Sequence, residues 1–180
     1  MLEHTTDLMG LLNDCDSLLK KDGVLSLAVL DKRHSFDHFR PITGIGRVVD
    51  AAKNPRKVHP TGMAAEYFLT VVSRDRRIAW DAAAKGEFKL VHSLEQAKQA
   101  IRDVSERESY LDVHEWCFTP TSFRLMMRDL FELGFILLKE LAFYPSTGSE
   151  FYVALSRSGE LPAGTGLELL QQVHREQFLS

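Results

Sequence analysis

Positive charge, cysteine and long apolar runs are all scarce in this chain, and each scarcity excludes something. Its 180 residues hold 22 Lys and Arg against 25 Asp and Glu, a formal charge of −3. Binding nucleic acid takes a clustered positive surface, so no nucleic-acid partner is expected. Cys15 and Cys117 are the only two cysteines. Two thiols build neither a disulfide framework nor a four-thiolate metal site, and a reducing, cytoplasmic setting is expected. No apolar run approaches the roughly 20 residues that cross a bilayer, so no membrane partner is expected. Glu3, His4 and Asp7 stand where a secretory leader would carry a basic segment and an apolar core. What is present is an ordinary globular balance, 44% apolar and 26% charged, too apolar for disorder. One domain is expected, or at most two small ones. No internal repeat and no low-complexity tract interrupts it.

Periodicity predicts a helix over residues 7–21. Leu8, Leu11, Leu12, Cys15, Leu18 and Leu19 fall on one helical face, and Thr5, Thr6 and Asp7 offer capping oxygens. Gly23 suits the position after a helix end. Residues 24–30 are nearly all apolar, which predicts a strand covered on both faces. Helix, short turn and buried strand make half of a parallel α/β unit. A mixed loop over residues 41–62 with a short helix at 46–53 follows, then helices over 64–80 and 93–107. Ser93 and Gln96 have the capping-box spacing. Thr119-Pro120-Thr121 opens a further helix that Gly134 ends. Residues 135–144 and 151–156 read as strands around a turn at 145–149, and such neighbours pair antiparallel. Residues 159–166 read as a flexible joint and 167–179 as a terminal helix.

Asp31, Lys32 and Arg33 directly follow the first strand. Carboxyl ends of strands are where open α/β sheets place ligand chemistry, so these three are candidate substrate contacts. Arg33 has the fork that grips a carboxylate or phosphate. His114 and Trp116 are candidates for a substrate wall, imidazole to orient an acceptor and indole to supply apolar area with one N–H donor. His34 and His38, with Asp37 between them, have the i, i+4 spacing that chelates metal from one helical face. A third ligand would have to come from elsewhere, such as His59 or His114, and no metal is expected. Cys15 reads as a core thiol, and Cys117 lacks an activating base. Arg74, Arg76 and Arg77 beside Asp75 read as a solvated helix face. Gly44-Ile45-Gly46 follows Pro41 rather than a strand and reads as loop punctuation.

Three stretches carry a resemblance. Met1-Leu2-Glu3-His4, then Asp7, resembles the segment that ends the fourth strand in class I S-adenosylmethionine-dependent methyltransferases of the ubiquinone-biosynthesis type. Residues 18–25, Leu-Leu-Lys-Lys-Asp-Gly-Val-Leu, resemble the step into their fifth strand, with Lys21-Asp22 where Pro-Gly is usual. His114-Glu115-Trp116-Cys117-Phe118-Thr119-Pro120, then Phe123, Leu130 and Gly134-Phe135, is similar to the stretch before their sixth strand. The resemblance covers residues 1 to about 156. It implies an α/β chain with a truncated Rossmann-like methyltransferase fold, in which a mixed sheet ends on an antiparallel last strand. Residues 1–158 would be the partial domain, with a helical insert at about 41–110, and 159–180 a linker and helix.

The function so implied is methyl transfer from S-adenosylmethionine to a small-molecule acceptor. His4 and His114 would be catalytic, Glu3 and His4 would face the cofactor, and Asp31, Lys32, Arg33 and Trp116 would touch the substrate. The family's glycine-rich turn and acidic ribose-binding residue precede the segment that resembles residues 1–4, and neither occurs in this chain. The fragment alone is therefore expected to be inactive. An apolar strand left at a sheet edge invites pairing, either in a homodimer or with a separate N-terminal fragment. The competing classes are a non-catalytic binding or interaction module and a relic of a shortened reading frame.

Overall fold

Side-chain oxygens open four of the six helices in the computed structural model, which describes residues 2–178. Helix α1 (Leu8–Leu18) starts at Asp7, whose Oδ1 accepts the Gly10 N–H at 2.8 Å. Strand β1 (Leu25–Leu30) follows. Helices α2 (Ile45–Lys53) and α3 (Thr61–Thr70) lead to a small hairpin of β2 (Val72–Arg74) and β3 (Phe88–Leu90). Helix α4 (Leu94–Arg107) begins with the Ser93–Gln96 capping box, and α5 (Pro120–Glu132) with one of Thr119 and Ser122. Strands β4 (Lys139–Thr147) and β5 (Glu150–Ser156) and helix α6 (Gly166–Glu176) complete the chain. Helix α5 ends on Gly134 at φ +75°, where the Gly134 and Phe135 N–H groups return to the Phe131 and Leu130 carbonyls. That paired closure needs a left-handed residue, which glycine supplies without a side-chain clash.

The main sheet has the order β1-β5-β4, and β5 runs antiparallel to both neighbours. Leu25, Leu27 and Val29 stand opposite Leu155, Val153 and Phe151. This face meets Leu8, Leu12, Phe123 and Leu130 in the main core. The opposite face, with Ser26, Ala28, Tyr144 and Tyr152, is exposed. Among the described residues the second edge of β1 carries no strand. No described helix is long and apolar enough to cross a membrane.

Several expectations are corrected. The chain is α/β, but its described strands pair only antiparallel, so no mixed sheet and no parallel unit forms within it. Strand β1 is covered on one face only, because nothing described packs over Ser26 and Ala28. The helix expected over 64–80 stops at Thr70. Val72 then pairs with Leu90, and the Arg74 and Arg77 main chains bond each other across a turn in which Asp75 and Arg76 have φ +46° and +67°. β-Branched Val71 and Val72 fit a strand better than a helix, and the tight left-handed turn breaks any helical run. Strand β4 starts late because Phe135 closes the helix end and Ile136 and Leu138 enter the core. It then runs through Pro145, at a register irregularity in an edge strand, where a missing N–H costs little. The joint near 159 is pinned: Glu160 N–H donates to Glu140 O at 2.8 Å, and a Cβ on Gly159 would come within 2.6 Å of that same carbonyl.

The chain leaves β1 at Asp31, which is fully buried. Its carboxylate accepts Ser146 Oγ–H at 2.6 Å and both Nε–H and Nη2–H of Arg33, at 2.9 and 2.6 Å. Burial pushes this carboxyl up, but the Arg33 and Ser146 hydrogen bonds and the Arg33 charge outweigh it and hold it below the usual range. A folded value below the unfolded one gives stability that is present above about pH 4 and lost as pH falls through the folded value. Asp31→Asn therefore lowers stability at pH 7, and its deficit against the parent narrows below about pH 4. Urea unfolding across that range measures both, and a deficit that does not change with pH refutes the assignment.

Candidate functional site

Main-chain bonds fasten three loop segments together beyond the carboxyl end of β1. The Glu3 carbonyl accepts N–H from Glu115 at 2.7 Å and from Trp116 at 3.3 Å. The Trp116 indole N–H donates to Thr5 O at 2.7 Å. Lys32 N–H donates to Phe118 O, and Thr43 N–H to Cys117 O, each at 2.9 Å. These links bring the 3-10 turn Leu2–His4, the stretch around His114 and the loop after Asp31 to one place.

Asp37 lies at the centre and is buried. Its Oδ2 meets His114 Nδ1 at 2.5 Å, and its Oδ1 accepts Arg40 Nη1–H at 2.9 Å. An ionised carboxylate only accepts, so His114 carries its proton on Nδ1 at this contact. Burial pushes the Asp37 carboxyl up, but His114 and Arg40 together bring it below the usual range. Arg40 is itself 0% exposed at its side chain and reaches Glu66 Oε1 at 3.0 Å and Met63 Sδ at 2.9 Å. Tyr67, whose ring lies 5.5 Å from the Arg40 guanidinium, has its hydroxyl pushed up to about 12 by burial and the Asp37 charge.

The His114 ring packs against Phe36 at 4.6 Å and meets the His4 ring edge-on at 4.6 Å. Glu3 closes the group: one ligand atom from each of Glu3, His4 and His114 lies within 4.8 Å of the others. Beside it, Glu115 is fully buried and accepts from His59 at 2.8 Å, Arg47 at 3.1 Å and Arg56 at 3.4 Å. Burial raises its carboxyl, and these donors more than reverse that. Arg47 also lies 3.7 Å from Glu66, which joins the two carboxylate clusters.

Of the residues singled out by sequence, Glu3, His4 and His114 come together. Asp31, Lys32 and Arg33 sit in the loop that follows β1, with their charges turned to internal partners. Asp31 and Arg33 hold each other, and Lys32 Nζ donates to His38 O at 2.6 Å. Burial lowers the Lys32 pKa. Trp116 is a core residue, 1% exposed, with its one donor used on Thr5. His34 and His38 form no chelating pair, because a short 3-10 turn, Lys32–His34, replaces the helix. His38 instead meets Arg33 O at 2.7 Å and stacks on Phe88 at 4.8 Å between ring centroids. Cys117 is buried, and burial followed by the nearby Asp37 charge pushes its thiol far up, so it is no nucleophile. Cys15 is half-buried rather than core.

Sequence reasoning missed Arg40, Glu66 and Glu115, as well as Asp112, which lies 2.8 Å from His4 Nδ1, and gave Asp37 only a metal-neighbour role. The i, i+3 spacing of Asp37 and Arg40 was the one local signal available. The other contacts join segments far apart in the chain. Gly44 caps α2 and Gly46 lies in its first turn, and a Cβ built on either meets nothing within 4 Å. That pair is a helix start and not a close-approach turn. No family model, curated protein or solved structure matches the chain.

Arg40→Met leaves Asp37 buried with one charged neighbour fewer and should cost about 3–5 kcal/mol of stability. Asp37→Asn added to Arg40→Met should return part of that loss, because the unpaired charge goes with it. Guanidinium unfolding of the two variants measures the difference. Equal stabilities would show that lost volume, not charge, sets the cost.

Proposed function

We propose that this chain forms the acceptor side of an S-adenosylmethionine-dependent methyltransferase-like protein with a Rossmann-like sheet. The observation that carries the reading is the order β1-β5-β4 with β5 antiparallel, together with the meeting of Glu3, His4 and His114 beyond the carboxyl end of β1. In the resemblance β1, β4 and β5 would be the fifth, sixth and seventh strands, with the seventh running antiparallel to the rest. Ligand chemistry in open α/β sheets belongs at that end of the strands.

In this reading the cluster receives a small-molecule acceptor with a hydroxyl or amine. Asp37 fixes the His114 ring through Nδ1 and leaves Nε2 for the acceptor. The acceptor's proton passes to the cluster as its oxygen or nitrogen becomes a nucleophile. The described residues do not fit the donor: no glycine-rich turn follows a strand among them, and Asp31, the acid at the end of β1, is held by Arg33 and Ser146. The chain alone is thus an acceptor-binding module without turnover. Donor-binding elements would pair along the free edge of β1 and cover the open face at Ser26, Ala28 and Tyr152.

The test supplies those elements in cis. The first half of a class I methyltransferase, through its fourth strand, is fused ahead of Leu2. Amide exchange at residues 25–30 should slow by at least 100-fold relative to the isolated chain, and calorimetry should give micromolar S-adenosylmethionine binding to the fusion and none to the isolated chain. Unchanged exchange in the fusion overturns the reading. So does micromolar cofactor binding by the isolated chain. A stable dimer of the isolated chain in light scattering, protected at 25–30, would instead assign the edge to a second copy.

A further inference from the structure

The two imidazoles of the cluster share one kind of support. Each of them has a carboxylate at its Nδ1. His114 Nδ1 meets Asp37 Oδ2 at 2.5 Å. His4 Nδ1 lies 2.8 Å from Asp112 Oδ1, close enough for an ion pair though not aligned as a hydrogen bond. His4 Nε2 lies 3.8 Å from Glu3 Oε1. Carboxylates on the far nitrogen are the usual support of metal-binding histidines, because they fix the tautomer and strengthen the ligand nitrogen.

Distance argues the same way. Ligand atoms bonded to tetrahedral zinc at about 2.0–2.2 Å stand about 3.3 Å apart. The His4–Glu3 pair is already near that separation at 3.8 Å, and the widest separation in the group is no more than 4.8 Å. Side-chain shifts of about 1 Å would close the set around an ion. The main chain needs no movement, since the Glu3 carbonyl is already tied to the Glu115 and Trp116 N–H groups, next to His114.

We propose that Glu3, His4 and His114 bind a divalent transition ion with the ligand preference of zinc, and that Asp37 and Asp112 are positioning residues behind the two imidazoles. Two nitrogens and one carboxylate leave a fourth position for an oxygen ligand. An acceptor hydroxyl bound there would lose its proton to solvent more readily, as metal-bound water does, since His114 Nε2 would then be a ligand and not the base. The site deepens the acceptor-side reading by naming an oxygen acceptor as its ligand class. It stands on ligand geometry and not on methyl transfer, so the two fail in different experiments.

Tag-free full chain is titrated with Zn²⁺ by calorimetry and with Co²⁺ by visible absorption. One ion per chain is expected, with a Co²⁺ ligand-field spectrum of four- or five-coordinate type. His4→Ala, at a partly exposed side chain that the core does not need, should weaken binding at least 100-fold while circular dichroism stays unchanged. Asp112→Asn, at an exposed side chain, should weaken it about 10-fold. His174→Ala, in α6 and outside the cluster, should leave affinity unchanged. Less than a tenth of an ion per chain overturns the proposal, as does binding that His4→Ala leaves intact. Donor binding by the fusion described above involves none of these variants and is unaffected by either outcome.

Discussion

A carboxylate buried away from water has to be neutralised where it stands, and in this chain that carboxylate is Asp37. Moving such a charge out of water costs several kcal/mol, which only close, well-aligned partners offset. Asp37 finds them in Arg40, three residues on, and in His114, which belongs to a distant part of the chain. Arg40 then needs further anions and takes Glu66 from α3. The loop after β1, helix α3 and the stretch before α5 are thereby held by one set of charges. Their relative positions decide where the His114 ring points, and the chemistry of the cluster follows from that direction.

The second carboxylate cluster has the same logic with a different purpose. Glu115 is adjacent to His114 and is surrounded by His59, Arg47 and Arg56. It anchors the backbone that carries His114 on one side while Asp37 holds the ring on the other. The Glu3 carbonyl receives the Glu115 N–H, so the segment bearing His4 is set by the same anchor. Main-chain bonds from segment to segment give this loop-built site a support that loops by themselves lack.

Local signals were legible in the sequence and long-range ones were not. Capping at Asp7, Ser93 and Thr119, the glycine stop at 134 and the paired strands near the end all depend on residues within a few positions of one another. The helix expected over 64–80 failed because Tyr67, Phe68, Val71 and Val72 satisfy helical spacing and a helix-then-strand equally well, and a tertiary pairing with Leu90 decides between them. Trp116 carries the features of a binding-site aromatic, and only the core around it and the Thr5 carbonyl show how it is used. At the site, His4 and His114 were visible through resemblance. Asp37–His114 spans 77 residues and Arg47–Glu115 spans 68, separations at which spacing carries no information.

The open face of the sheet and the loaded cluster at its end are two sides of one arrangement. Ser26 and Ala28 are small, and Tyr144 and Tyr152 present broad rings with a polar tip. A solvent-facing antiparallel sheet ordinarily alternates apolar with charged side chains. Here the alternate positions are small and aromatic, a surface that packs well against another layer. The polar cluster is built the other way, from charges that meet one another: Asp37 meets His114 and Arg40, and Asp112 lies beside His4. The open sheet face and the His4–His114 cluster are thus distinct features, one apolar and one polar, of the same small sheet. The acceptor-side proposal draws on the sheet, and the metal proposal on the cluster.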